Sequence, residues 1–248
     1  MSPADDLIPV LKTLRMSGVL QTLDLRAREA VDDALSFEEF LLRLLTDEVE
    51  RRESKRLDLR LRRAGFENER TLETFDFGFN PGVPKARIVD LAAGGFLRRK
   101  RNVLLIGPSG TGKSHIAQAI GHRACRLGRR VLFIGAHQML QDLRAARADD
   151  SYARRMTRFT APDLLIVDDL GLRALRGDEP EDLYEVIRRR YERGSIIISS
   201  NRAIDEWYAL FGDALLASAA MDRLLHEAEI VEMVGDSYRN PPKSRRTR

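Results

Sequence analysis

Apolar residues recur at helical spacing through roughly the first fifty positions. Ile8, Leu11 and Leu14 lie three residues apart and predict a short amphipathic helix, and a second such pattern runs from Val19 to Ala34. Ser36 followed by Glu39 has the form of a capping box, in which each side chain bonds the other residue's amide. It opens a longer helix whose Phe37, Phe40, Leu41, Leu44, Leu45 and Val49 share one stripe. That helix is expected to reach Arg63 and stop at Gly65. Leu57, Leu59 and Leu61 alternate instead of keeping the helical period, so a bend or frayed stretch is expected there. From Thr71 to Pro84 the rhythm breaks: TLETFDFGFNPGVP holds three phenylalanines, two glycines and two prolines and reads as a connection between domains. Beyond it, apolar runs at 102–106, 131–134, 163–167 and 195–199 alternate with helical stretches. That alternation predicts an α/β domain with a parallel sheet flanked by helices. The expected organisation is a small all-α N-terminal domain (1–68) serving self-association or DNA binding, a linker (69–84), the α/β domain (85–239) and a basic disordered tail (240–248).

Composition narrows the class. A chain of 248 residues can bury one substantial core plus an appendage. With 43% hydrophobic and 32% charged residues and a mean hydropathy of -0.33, it is neither a disordered nor a membrane-spanning type. No apolar run is long enough for a bilayer, so no membrane association is expected. The opening MSPADDLIPVLKTLR lacks the basic start and apolar stretch of a secretory signal, which points to the cytoplasm. Cys125 has no second cysteine to pair with, and His115, His122, His137 and His226 do not fall at metal-ligand spacing, which argues against zinc and disulfide chemistry.

Charge matters through its placement. Residues 1–50 hold eleven acids against five bases, net -6, so the overall +4 leaves +10 on the remainder. Clusters at Arg51–Arg63, Arg98–Arg101 and Arg239–Arg248 carry much of that surplus and are of the kind that tracks a phosphate backbone.

The strongest chemical signal lies where the run ending at Ile106 meets Gly107, Pro108, Ser109, Gly110, Thr111, Gly112, Lys113 and Ser114, with His115 opening a helical pattern. This is a complete Walker A loop in its required strand–loop–helix context. Glycines let backbone amides converge on phosphates, the helix N-terminus adds a positive dipole, Lys113 neutralises the β and γ charges, and Ser114 can hold Mg2+. About sixty residues on, Asp163-Leu-Leu-Ile-Val-Asp168-Asp169 puts paired carboxylates at a strand end, as a Walker B strand does. There Asp168 would coordinate the magnesium ion through water, and Asp169 could orient or deprotonate the attacking water. A guanine reader would want Asn-Lys-x-Asp, and Asn201-Arg-Ala-Ile-Asp205 has the wrong spacing, so ATP is favoured. A small-molecule kinase would want a lid insertion, which the sequence does not show.

Further motifs carry a resemblance. With Phe75-Asp76-Phe77, Gly107 to His115, Asp168-Asp169-Leu170-Gly171, Ser199-Ser200-Asn201, Asp222-Arg223-Leu224 and Ser237-Tyr238-Arg239, nearly the whole chain resembles one group of AAA+ ATPases. That group contains the helicase loader DnaC and the insertion-sequence transposition helper IstB. The helical front joined to Phe-Asp-Phe looks more like the transposition helper, with the helicase loader as the alternative. The resemblance implies ATP and Mg2+ as cofactors. It further implies double-stranded DNA, a transposase and further copies of the chain, in an ATP-dependent ring or helix, as partners. It also implies roles: Asn201 as sensor 1, Arg223 as an arginine finger acting on a neighbouring subunit, and Arg239 as sensor 2. Two departures stand out. Asp169 occupies a position where most AAA+ enzymes have Glu, although this group shares Asp, and hydrolysis is expected to be slow without a partner. Ser114 replaces the group's usual Thr and keeps the hydroxyl. Arg144, Arg147, Arg154, Arg155 and Arg158 are candidate DNA contacts.

Overall fold

The computed structural model of the chain describes residues 3–240. From Pro241 onward the expected basic tail lies outside the described residues. The chain divides into two compact units, 1–59 and 60–248.

The first unit is helical. Helices α1 (Pro3–Thr13) and α2 (Ser17–Asp32) precede α3 (Phe37–Ala64). The Ser36/Glu39 box forms as its residues dictate: the Ser36 amide donates to Glu39 Oε2 (2.9 Å) and the Glu39 amide to Ser36 Oγ (3.2 Å). A small core of Leu11, Val19 and Leu44 is flanked by Met16, Leu20, Leu23 and Phe40. Glu48 of α3, itself buried, accepts from the Gly18 and Val19 amides, so a side chain of one helix caps the N-terminus of another. Arg26 grips Asp47 with two hydrogen bonds (2.8 and 2.7 Å), which ties α2 to α3 again. The stripe expected on α3 divides: Leu44 and Phe40 enter the core, whereas Phe37 is 91% exposed and Leu41, Leu45 and Val49 are also exposed. The bend expected at Leu57–Leu61 is absent. Helix α3 runs unbroken from Phe37 to Ala64, because its Arg, Lys, Glu and Leu residues are good helix formers and outweigh the local alternation.

The second unit is the α/β domain. Helices α4 (Lys85–Ala92) and α5 (Gly95–Arg99) lead into β1 (Val103–Ile106), α6 (Lys113–Arg126), β2 (Val131–Gly135), α7 (Ala136–Ala148), α8 (Tyr152–Thr160) and β3 (Leu164–Asp168). Then follow α9 (Glu179–Arg190), β4 (Ser195–Ser200), a 3-10 turn (Ile204–Trp207), α10 (Tyr208–Phe211), α11 (Ala214–Leu225) and β5 (Glu229–Glu232). The five strands are all parallel, in the order β2-β3-β4-β1-β5. The four expected strands are present within a residue. Strand β5, four residues flanked by acids, was not among the expectations.

Strands β1, β3 and β4 are buried along their whole length, as parallel strands covered on both faces must be. Alternate residues, among them Leu104, Leu132, Leu165 and Ile196, join one core cluster with α7, α8, α9 and α11. Helix α6 packs against the sheet as well, touching β1, β2, β3 and β4. Arg190, wholly buried at the end of α9, ties the strand ends together by donating to the carbonyls of Phe159, Pro162 and Ser195 (3.0, 2.9 and 2.7 Å).

Candidate active site

The loop from Gly107 to Gly112 joins the C-terminal end of β1 to the first turn of α6, so its amides and the helix dipole face the same space. Gly112 has φ +98° and the Phe75 ring lies where a side chain would project, so only glycine fits there. Lys113 is buried and its Nζ donates to the carbonyls of Gly107 and Pro108, both at 2.7 Å, which holds the ammonium over the loop. Burial lowers its pKa, while Asp169 and Asp168 oppose the shift. The Ser114 hydroxyl has no hydrogen-bond partner among the described residues and lines the same cavity.

At the end of β3, Ser199 of β4 organises the acid pair. Its hydroxyl donates to the buried Asp168 carboxylate and accepts from the Asp169 amide (2.9 Å). Asp169 adopts φ +56°, an uncommon left-handed conformation for a residue with a side chain. Burial and the neighbouring Asp168 charge raise the Asp169 pKa from its ordinary value.

One cavity of about 540 Å³ collects most of the expected site residues: Ser109, Gly110, Thr111, Gly112, Lys113, Ser114, His115, Asp169, Asn201 and Arg239. Gly107 and Pro108 lie beneath Lys113, and Asp168 is close enough to influence its charge. Arg223 stands apart. It sits in the last turn of α11, donates to Ala219 O (2.8 Å) and lies 5.6 Å above the Tyr184 ring. It lines a second, basic hollow with Arg188, Arg189 and Arg193. The Asn102 side chain donates to Leu224 O (3.0 Å), which fixes this end of α11 beside the N-terminal end of β1, opposite the end where the loop begins.

Phe79 and Asn80 of the cavity were not singled out from the sequence. They come, with Phe75 of the Phe-Asp-Phe motif, from the segment expected to be a connection, and Tyr238 of the Ser-Tyr-Arg motif comes from the chain beyond β5. Phe75 packs edge-on against His115 (5.1 Å), whose Nε2 lies 2.9 Å from Thr71 O. Phe79 and Tyr238 pack edge-to-face at 4.9 Å. The available signal was three phenylalanines in an otherwise polar stretch, too many for a solvated linker.

The candidate DNA contacts are unequal. Arg147 is committed to the fully buried Asp182 (2.7 Å) and stacks on Tyr152, while Arg155 and Arg158 pair with Asp142. Arg144 and Arg154 are exposed and have no ion pair among the described residues. No described helix is long and apolar enough to cross a membrane, and no described cluster of His, Cys, Asp or Glu could hold a metal by itself.

Comparison with known proteins agrees with this architecture. The model of the IstB-like ATP binding protein family matches residues 9–246. An insertion-sequence ATP-binding protein of Mycobacterium tuberculosis is 42% identical over 238 residues, 96% of this chain and 95% of that protein. The ATP-binding protein of insertion sequence IS21 from Pseudomonas aeruginosa is 34% identical over 230 residues, covering 93% and 87%. Among solved structures, AMPPCP-bound DnaA from Aquifex aeolicus has a TM-score of 0.58 at 21% identity, over 69% of this chain and 52% of that one. The DnaC helicase loader has a TM-score of 0.56 at 18% identity, over 66% and 97%. The fold is that of the AAA+ P-loop NTPases, and the chain belongs to the family of IstB-like ATP binding proteins.

Proposed function

We propose that this chain is a DNA-binding ATPase that assembles on duplex DNA in its ATP-bound form and assists a transposase in choosing and receiving its target, hydrolysis driving disassembly. The observation that carries this reading is the division of the expected catalytic residues. Lys113, Asp169, Asn201 and Arg239 line one cavity, while Arg223 lies at the other end of the sheet.

In this reading the triphosphate lies along the loop amides from Gly107 to Ser114, with Lys113 against its β and γ phosphates. The base is taken up against Phe79 and Tyr238, whose rings offer apolar surface at the cavity rim. Ser114, with its unpartnered hydroxyl, and Asp168, a buried carboxylate oriented by Ser199, are the residues fitted to hold Mg2+. The ion supplies neutralisation of charge on the phosphates. Asp169 takes the proton of the attacking water, and its raised pKa suits that role at neutral pH better than an ordinary carboxylate. Asn201 positions the water and Arg239 contacts the nucleotide in the same chain. Arg223 reaches the γ-phosphate held by a neighbouring copy, so ATP bridges subunits and binding is linked to assembly. Exposed Arg144 and Arg154, repeated in each copy, contribute DNA contacts whose sum is steeply salt-dependent.

Electron microscopy of the protein with duplex DNA, Mg2+ and a non-hydrolysable ATP analogue tests this. Rings or helical arrays along the duplex are expected. Isolated monomers would overturn the assembly reading, and a preference for single strands with tight binding to a hexameric helicase would turn it into a loader.

A further inference from the structure

The cavity is walled by two chain segments that the Asn80 side chain hydrogen-bonds together across 156 residues. Asn80 is buried, with 4% of its surface exposed, although its neighbours Phe79 and Tyr238 stand at the rim. Its amide is used twice on one partner. Nδ2 donates to the Asp236 carbonyl (2.9 Å), and Oδ1 accepts from the Asp236 amide (2.9 Å). Such a reciprocal pair reproduces what one strand residue does for another, and it fixes distance and orientation together. The backbone has been shaped to allow it, because Gly235 has φ +154° and any side chain there would collide with the Asn80 amide. Two residues beyond Asp236, the Tyr238 amide donates to Gly110 O (3.0 Å) of the phosphate loop, and Arg239 lines the cavity.

We infer that Asn80 is a positioning residue. By clasping Asp236 it sets the Phe79–Tyr238 pair beside the loop, so that the base is gripped while the loop holds the phosphates of the same nucleotide. The inference rests on the nucleotide reading above. One N–H and the oxygen of the Asn80 amide are engaged by Asp236, and the side chain is buried, so it is placed to hold that segment and not to reach the base. Its effect must therefore pass through the aromatic pair and the segment that follows. That is a different behaviour from general support of the fold. A purely structural residue would weaken every ligand of the cavity alike, whereas loss of the clasp should weaken only ligands that carry a base.

Isothermal titration of the full chain with Mg-ATP and, separately, with magnesium tripolyphosphate distinguishes the two. Tripolyphosphate occupies the loop and has no base. Asn80→Ala removes the two part-buried hydrogen bonds of the clasp and is expected to weaken ATP about tenfold while tripolyphosphate affinity stays within about twofold. Asn80→Asp keeps the acceptor and loses the donor, and is expected to show the same split. In a Phe79→Ala, Tyr238→Ala background, adding Asn80→Ala should cost less than about twofold more, because the groups it positions are gone. Unchanged ATP affinity in both Asn80 variants would overturn the inference. So would parallel loss of ATP and tripolyphosphate, or an undiminished effect in the background lacking both rings. Failure of the unsubstituted chain to bind either ligand would instead remove the nucleotide reading, and the positioning role with it.

Discussion

If Arg223 completes the active site of a neighbouring copy, two inactive variants should restore each other. The structure sets the terms. Arg223 adjoins Leu224, which is tied to Asn102 at the N-terminal end of β1, and the phosphate loop starts at Gly107 beyond its C-terminal end. At the rise of a parallel strand, five residues separate these points by about 16 Å, which an arginine cannot span within its own chain. Lys113→Ala destroys the cavity and spares Arg223; Arg223→Ala spares the cavity and removes the finger. Each alone should lose turnover, the latter by about 10³ to 10⁵ with ATP affinity kept. In an equimolar mixture that assembles at random through head-to-tail contacts, half the cavities are intact and half of those face an intact finger. Turnover should therefore return to about one quarter of the unsubstituted rate. The assay is phosphate release on duplex DNA at constant total protein. A mixture no more active than its components, or an Arg223→Ala protein that turns over normally, would refute the reasoning.

Other outcomes follow from named groups. Asp169→Asn should abolish turnover and leave ATP affinity within about threefold, and in the unsubstituted protein the acid limb of the rate profile should lie above that of an ordinary aspartate, since burial and Asp168 hold the Asp169 proton. An acid limb at the ordinary value, measured by phosphate release across pH, would remove Asp169 as the base. Arg190→Met should destabilise the α/β domain by about 3 kcal/mol or more, because buried carbonyls of Phe159, Pro162 and Ser195 lose their donor, and Arg190→Lys should rescue little of it. Denaturant unfolding would show it, and a loss under about 1 kcal/mol would contradict it. Asp47, held by Arg26, has its pKa lowered to about 2 from 3.8, so it stabilises the folded helical unit above its unfolded value and loses that effect as pH falls towards about 2. Asp47→Asn should therefore speed amide exchange in α2 at pH 6, with the difference from the unsubstituted chain closing in strong acid; a pH-independent difference would contradict it.

What was legible in the sequence was whatever physics makes local. Four-residue apolar runs such as Val103–Ile106 and Leu164–Val167, each ending in a loop with chemistry, announced the sheet and its C-terminal edge together. Ser36 and Glu39 announced a helix start because the capping bonds span only three residues. Strand β5 escaped because Glu229 and Glu232 mask a two-residue apolar centre, and only pairing with β1 gives it order. The inner wall of the cavity escaped for a similar reason. Asn80 meets Asp236, and Phe79 meets Tyr238, across more than 150 positions, and no periodicity joins residues that far apart. Ser199 shows the intermediate case: visible as part of Ser-Ser-Asn, its hold on the Asp168 carboxylate and the Asp169 amide emerges only when β3 and β4 lie side by side. Arg147 shows the reverse, since a basic residue that looked free for DNA is drawn to a buried carboxylate on α9.

The account depends on the cavity above Lys113 being a site for Mg-ATP. Titration calorimetry of the purified chain with ATP, in the presence and absence of Mg2+, tests that most directly. Saturable heat that strengthens with magnesium and vanishes in Lys113→Ala is the predicted result. No heat with Mg-ATP, or equal heat in the Lys113→Ala protein, would contradict it.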